Sequence, residues 1–225
     1  MRPRMALVLA VLGLSSSAVP AAPPEKEGSS QVETHVTMGA GMGVSYLNPV
    51  DIVDLVNASS ISGQRQPEFK AAVEFFGAVH VPLSADWAIK LDYGYLLGSY
   101  TIDGFFGASE YNFSAHMPTV VVQYSLALEP LYSVFGGIGA GYHFGRLKTS
   151  VQPFENTFTG AGPGIVGDLE ANTAFGDGLF GYLGLEARWE FIGALTDSDG
   201  RSPGPGEITL NHFGLGIRFG LSYYL

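Results

Sequence analysis

Residues 212–225 read His-Phe-Gly-Leu-Gly-Ile-Arg-Phe-Gly-Leu-Ser-Tyr-Tyr-Leu, and the alternation within them decides the fold. Phe213, Leu215, Ile217, Phe219, Leu221, Tyr223 and Leu225 fall on one face of an extended strand. His212, Gly214, Gly216, Arg218, Gly220, Ser222 and Tyr224 fall on the other. Successive side chains of a strand point to opposite sides, so these rows are an apolar wall backed by a small, polar one. A strand set between lipid and a packed polar lumen looks like this.

The opposite end agrees. Arg2 and Arg4 precede an apolar core at 5–14 and a small-residue stretch at 15–22, the layout of a secretory signal peptide. Residues 1–21 are read as that signal, with a rival cleavage site after Ala18. Residues 22–31 follow as a short polar periplasmic leader, and 32–225 as the barrel domain. The signal's apolar core is about ten residues long, too short for a spanning helix, which needs roughly twenty. The chain has no Cys, so neither a disulfide framework nor a thiolate metal site is expected.

Composition narrows the class further. The chain holds 31 Gly and 12% aromatic residues but only 14% charged residues, against about 25% in ordinary soluble domains. Losing Arg2 and Arg4 with the signal takes the formal charge from −10 to −12. So acidic a chain, without a Lys/Arg cluster, is a poor nucleic-acid binder.

Period-two alternation recurs along the chain and predicts strands at 32–47, 69–81, 87–100, 116–126, 131–147, 162–173 and 179–194, with the last ending at 225. Asn48-Pro49 stops the first, and helical spacing of Ile52, Leu55 and Val56 predicts a short helix at 49–58 over the barrel mouth. Residues 148–161 and 101–113 read as loops. Connections after strands one, three, five and seven are then long, and the others are tight turns. Outer-membrane barrels show that asymmetry, along with an even strand count. The reading is an eight-stranded antiparallel up-and-down transmembrane β-barrel; a ten-stranded alternative would draw extra strands from 48–68.

The signal peptide, the 137–144 run Gly-Ile-Gly-Ala-Gly-Tyr-His-Phe, the 183–189 run Leu-Gly-Leu-Glu-Ala-Arg-Trp and the 220–225 end together carry a resemblance. The chain resembles the small bacterial outer-membrane β-barrel superfamily that includes the OmpA transmembrane domain, OmpX and OmpW, as a pattern over nearly the whole mature chain. The resemblance implies an outer-membrane protein with periplasmic termini. It also implies that Gly220, Tyr223 and Leu225 form an assembly signal, with periplasmic chaperones, the barrel-assembly machinery and membrane lipids as partners. That family more often ends in Phe or Trp than in Leu.

By parity, Lys70, Glu74, Lys90, Asp92, Asp168, Glu170, Glu186, Arg188, Glu190 and Arg218 face the lumen. An eight-stranded interior is only wide enough for side chains, and buried charges must be paired. These residues therefore predict a salt-bridged plug, with Arg188 and Arg218 bracketed by carboxylates. The leading functional reading is a structural or surface-interaction protein. The alternatives are a narrow channel for small or apolar solutes and an outer-membrane lipid- or peptide-modifying hydrolase. Ser114-Ala115-His116 and Asn211-His212 offer only a chance likeness to hydrolase sites. His35, His80 and His143 lack metal-ligand spacing, and the glycines at 137, 139 and 141 precede no helix, so no metal and no cofactor is expected.

Overall fold

Each strand satisfies its backbone only by pairing on both sides, and the pairing here runs full circle. The computed structural model describes residues 35–60, 65–104, 107–129, 131–151 and 153–225. The expected signal peptide, the leader and the first residues of the first strand lie outside the described residues. Among the described residues the strands are β1 (Thr37–Asn48), β2 (Lys70–Pro82), β3 (Trp87–Gly104), β4 (Gly107–Leu128), β5 (Tyr132–Val151), β6 (Phe154–Gly176), β7 (Leu179–Glu190) and β8 (His212–Tyr224). One helix, α1 (Val50–Ser59), joins β1 to β2. The strands form a closed barrel in sequence order, all neighbours antiparallel, with β1 also paired to β8 from Thr37↔Tyr224 to Asn48↔Phe213. The count is eight, and 48–60 supplies a helix rather than the extra strands of the ten-stranded alternative.

The seam between β1 and β8 depends on glycine. Gly41 and Gly220 are register partners facing each other across it. A Cβ built on Gly41 would stand 2.7 Å from the Gly220 Cα and closer still to the Phe219 carbonyl. Only a residue without a side chain lets the two backbones close here.

Outside, the barrel carries an apolar band of exposed side chains: Met42 and Val44 on β1, Leu91 on β3, Val120 and Val122 on β4, Ile165 and Leu169 on β6, Leu183 and Leu185 on β7, Leu215 and Ile217 on β8. Aromatic rings bound it at both ends. Trp87 packs against Tyr124 near the short turns, and Tyr223 is exposed on the outer wall at the same end. Tyr46 stacks on Phe69, Tyr95 on His116, and Trp189 meets Phe213 at the other end. An apolar belt between two aromatic girdles matches the hydrocarbon layer of a membrane and its two interfaces. No described helix is long and apolar enough to cross a membrane.

Two expected loops prove to be sheet. Residues 107–115 belong to β4 and 101–104 to β3, paired as far as Gly104↔Gly107. Residues 148–151 extend β5 and 154–161 begin β6, paired from Val151↔Phe154 onward. These two hairpins stand above the aromatic girdle, where the alternation changes sense. In the membrane, Leu91 and Tyr93 face out while Lys90 and Asp92 face in. Above it, Ser99 and Thr101 face out while Tyr100 and Ile102 are buried inside. Water has replaced lipid outside, so the polar row moves outward and the apolar row inward while the strand itself continues. The remaining connections at this end, 49–69 and 191–211, are long as expected, and those at the other end are tight turns.

The two faces of the wall can be tested directly. Leu185→Arg and Leu215→Arg each put a cation on the lipid face, which in comparable barrels costs about 2–4 kcal/mol at the midplane and less near the interfaces. Urea unfolding in phospholipid vesicles should show losses of that order. Ser222→Ala, on the inner face, loses one neutral hydrogen bond to Asn172 and should cost no more than about 0.5–1.5 kcal/mol. Equal stability for all three would mean that the faces are misassigned.

Candidate functional site

Inside the barrel, polar side chains are stacked in layers. Register brings Glu74 on β2, Asp92 on β3, Glu186 and Arg188 on β7 and Arg218 on β8 into one cluster. Arg218 donates from Nη1 to Asp92 at 3.0 Å and pairs with Glu186 at 2.6 Å, while its Nη2 makes a short contact with Glu74. Arg188 donates from Nε to Glu186 at 2.7 Å and from Nη2 to Asp92 at 3.2 Å. Two fork-shaped guanidiniums thus hold three carboxylates, a task suited to their planar donor geometry. Phe76 lies under Arg218, its ring centroid 4.8 Å from the guanidinium carbon.

Toward the short turns lies a second cluster around Lys90, which is fully buried. Its Nζ donates to Asp168 at 3.1 Å, Glu170 at 3.0 Å and the Tyr182 hydroxyl at 3.2 Å. Gln123 Nε2 donates to Asp168 at 2.7 Å and to Glu170 at 3.2 Å, which turns its Oε1 toward His80 Nδ1 at 3.1 Å. The other nitrogen of His80 lies 3.5 Å from Glu170. Asn172 and Ser222 complete this layer, Asn172 donating to Glu170 at 2.7 Å and Ser222 to Asn172 at 3.3 Å.

Of the ten lumen-facing residues read from the sequence, eight fall in these two clusters. The other two stand elsewhere. Lys70 sits at the mouth, its Nζ 4.1 Å from the Tyr100 ring centroid, because β2 begins there. Glu190 joins neither arginine: it makes a short contact with His143 Nδ1, whose Nε2 lies 3.1 Å from the Thr119 hydroxyl. Periodicity marked Glu190 as inward but could not show that His143 and Thr119 arrive beside it from β5 and β4. The signal was present, since both share the inward parity of their strands.

This hydroxyl–imidazole–carboxylate line has the order of a nucleophilic triad, but Thr119 is 4% exposed and His143 and Glu190 are 1% exposed. The Thr119 hydroxyl also donates to the Met117 carbonyl at 3.2 Å. All three side chains are thus buried, and the Thr119 hydroxyl is shared between His143 and the Met117 carbonyl. Ser114 and His116 lie on the outward face of β4, where His116 stacks on Tyr95 and meets the Tyr93 hydroxyl at 2.6 Å as part of the girdle. His212 is buried inside, its Nδ1 3.0 Å from the Leu210 carbonyl. Among the described residues no group of three or more His, Cys, Asp or Glu side chains could hold a metal ion.

Space for these groups is made by glycine. A Cβ on Gly94 would stand 2.6 Å from Glu74 Oε1 and 2.9 Å from Met117 Cε, and one on Gly164 would collide with both Glu190 and His143.

Above the charges the lumen turns apolar. Leu47, Ala72, Leu96, Ala115, Met117 and Leu147 from the strands pack with Ile52, Val53, Leu55 and Val56 of α1 and with Ile192, Leu195 and Leu210 of the last connection. Ile52, Leu55 and Val56 are the residues whose spacing predicted the helix. Asp51 in its first turn fastens it, accepting from the Thr209 amide at 3.0 Å and the Thr209 hydroxyl at 2.5 Å. The far mouth is thereby stoppered by a small hydrophobic core that sequence parity alone did not reveal.

Among the described residues, Lys90, Arg188 and Arg218 are the fixed cations that pair with Glu74, Asp92, Asp168, Glu170 and Glu186, so removing one should be costly. Arg218→Met should destabilise the folded barrel by about 3–5 kcal/mol, because three carboxylates lose their shared partner. Adding Glu186→Gln should recover part of this, a coupling that a double-mutant cycle in urea would measure. Strict additivity would mean that the cluster does not act as a unit.

Comparison with known proteins bears on the fold. No family model matches the chain, and no curated protein sequence matches it. Solved structures do. A major outer membrane protein from Thermus thermophilus aligns with a TM-score of 0.51 at 13% identity, covering 84% of this chain and 99% of that one. Ail, the attachment invasion locus protein of Yersinia pestis, aligns at 0.50 and 9% identity over 86% of this chain and 100% of its own. Neisserial surface protein A aligns at 0.50 and 9% identity over 84% and 97%. The fold is that of the small bacterial outer-membrane β-barrels.

Proposed function

We propose that this chain is an integral outer-membrane protein with a structural or surface-interaction role, its barrel a closed support rather than a conduit. The filled lumen is the observation that carries the reading. Two ion-pair layers and the Thr119–His143–Glu190 line occupy the interior, and α1 with residues 191–211 covers the mouth above them. Opening a path would require uncoupling several buried ion pairs or lifting the helix from its apolar seat. The long connections and two tall hairpins would then meet the outside, with the short turns and both termini on the periplasmic side.

Planar-bilayer recording tests the reading. The reconstituted protein should give no stable single-channel steps; regular steps would instead establish the narrow-channel alternative.

The last strand supports a second part of the proposal, that Gly220, Tyr223 and Leu225 are read by the barrel-assembly machinery. In the folded barrel Tyr223 pairs with Met38 and Leu179, and the Leu225 amide donates to the Val36 carbonyl at 2.9 Å, so the same residues close the seam once inserted. Deleting residues 223–225 should leave the chain exported but absent from the outer membrane, as fractionation and immunoblotting would show. Normal outer-membrane levels of the truncated chain would overturn the assignment.

A further inference from the structure

On the outer wall a groove runs from the apolar band into the water-side surface, across β2, β3, β4 and β5. It has a volume of about 680 Å³, and its lining includes Val73, Phe75, Leu97, Ser114, Arg146 and Lys148. Its lower part is lipid-facing, since Val73, Phe75 and Leu97 are 42%, 48% and 38% exposed. Its upper part is cationic. On the outward face of β5, Arg146 and Lys148 directly follow Tyr142 and Phe144, an aromatic pair with ring centroids 5.7 Å apart. Aromatic side chains of a barrel mark the membrane interface, so these two cations stand one step beyond it, at the depth of lipid headgroups. Between them and the apolar wall the floor is small and polar: Ser114 is the register partner of Arg146, and Asn112 of Lys148.

The charges at this spot are available. Arg146 makes only a 3.5 Å contact with the Thr157 hydroxyl and has no carboxylate within ion-pair distance among the described residues. Lys148 pairs with Glu155 at 2.7 Å, but the two side chains are 40% and 60% exposed. A pair so exposed contributes little and exchanges readily. Both cations stand out on a chain whose formal charge is −10.

We infer that this groove binds a phosphorylated glycolipid of the outer leaflet, its phosphate held by Arg146 and Lys148 and one acyl chain laid against Val73, Phe75 and Leu97. The continuity of groove and apolar band argues for a lipid over a soluble anion, because a free phosphate would leave the lower wall unused. A guanidinium takes phosphate oxygens two at a time and the ammonium adds a point charge. The Ser114 hydroxyl and Asn112 amide are further donors within the same lining. The site rests on the outer-membrane reading, which places this end of the barrel in the glycolipid leaflet.

The test uses the full mature chain, first inserted into phosphatidylcholine vesicles and then examined by native mass spectrometry with diphosphoryl lipid A. Failure of the parent chain to insert would remove the membrane reading and this site together. With insertion established, the parent should retain the phosphorylated lipid in preference to its dephosphorylated form. The double variant Arg146→Gln, Lys148→Gln should bind it about tenfold more weakly, and Ser114→Asp, which leaves both cations in place, should weaken it as well. Arg201→Gln, in the last connection, should match the parent. Equal retention by the double variant, equal retention of the dephosphorylated lipid, or displacement of the lipid by millimolar inorganic phosphate would each overturn the proposal.

Discussion

Hydrocarbon offers no partner to a backbone amide or carbonyl, so every such group within the membrane must be satisfied by the chain itself. For strands the only complete solution is closure. The rest of this structure follows from the last closure contact, between β1 and β8. The Gly41–Gly220 pair lets the two backbones meet, and the apolar residues beside them, Met42 and Phe219, face lipid from the same register row. Closure with eight strands also fixes the lumen's width, which side chains alone can fill.

A lumen of that width sets a second problem, because its wall must be polar enough to contrast with the lipid face yet cannot hold bulk water. The chain answers with unequal residue sizes. Glycines on the inward rows, among them Gly94 and Gly164, leave space that Glu74 and Arg218, and Glu190 and His143, respectively occupy. Arg218 reaches Glu74 on β2 and Asp92 on β3 as well as Glu186 on the neighbouring β7, and Lys90 on β3 reaches Asp168 and Glu170 on β6. These contacts tie strands far apart in sequence, so the network braces the ring across its diameter while the backbone ladder holds its circumference. Net stabilisation by such pairs over an apolar filling is not implied, since desolvation offsets much of their attraction. What they do specify is which strand faces which.

The alternation in the sequence was a faithful guide wherever lipid lay on one side and the lumen on the other. Strand number, order and facing in β1, β2, β7 and β8 were legible for that reason, as was the helix spacing of Ile52, Leu55 and Val56. Apolar-out alternation ends where the outer environment changes, although the strands continue. At Ser99 and Thr101, and again at Arg146 and Lys148, the outward row becomes polar and the inward row apolar, so a pattern tuned to apolar-out alternation stops although the ladder continues to Gly104 and Val151. A search for the mirror pattern would have found it: Tyr100, Ile102, Tyr111, Phe113, Leu147 and Phe158 keep strict inward parity. Partners within the lumen were less accessible to sequence. That Glu190 would meet His143 while Glu186 meets Arg188 and Arg218 depends on register and strand tilt, which periodicity does not carry.

The inverted rows also explain why the far mouth is closed by an apolar core instead of more ion pairs. Once the hairpins β3–β4 and β5–β6 rise into water, their inward apolar faces would be exposed from above unless something covered them. The connections after β1 and β7 supply the cover, α1 presenting Ile52, Val53, Leu55 and Val56 and the last connection presenting Ile192, Leu195 and Leu210. Asp51 and Thr209 lock the two covers to each other, while Thr159 and Thr196 exchange backbone hydrogen bonds that attach the last connection to the exposed edge of β6. The same strands thus continue beyond the girdle with the arrangement reversed, apolar inside and polar outside. Closure of the mouth is therefore a consequence of extending the strands beyond the membrane, and the outward polar faces of the hairpins are the surface that this extension presents.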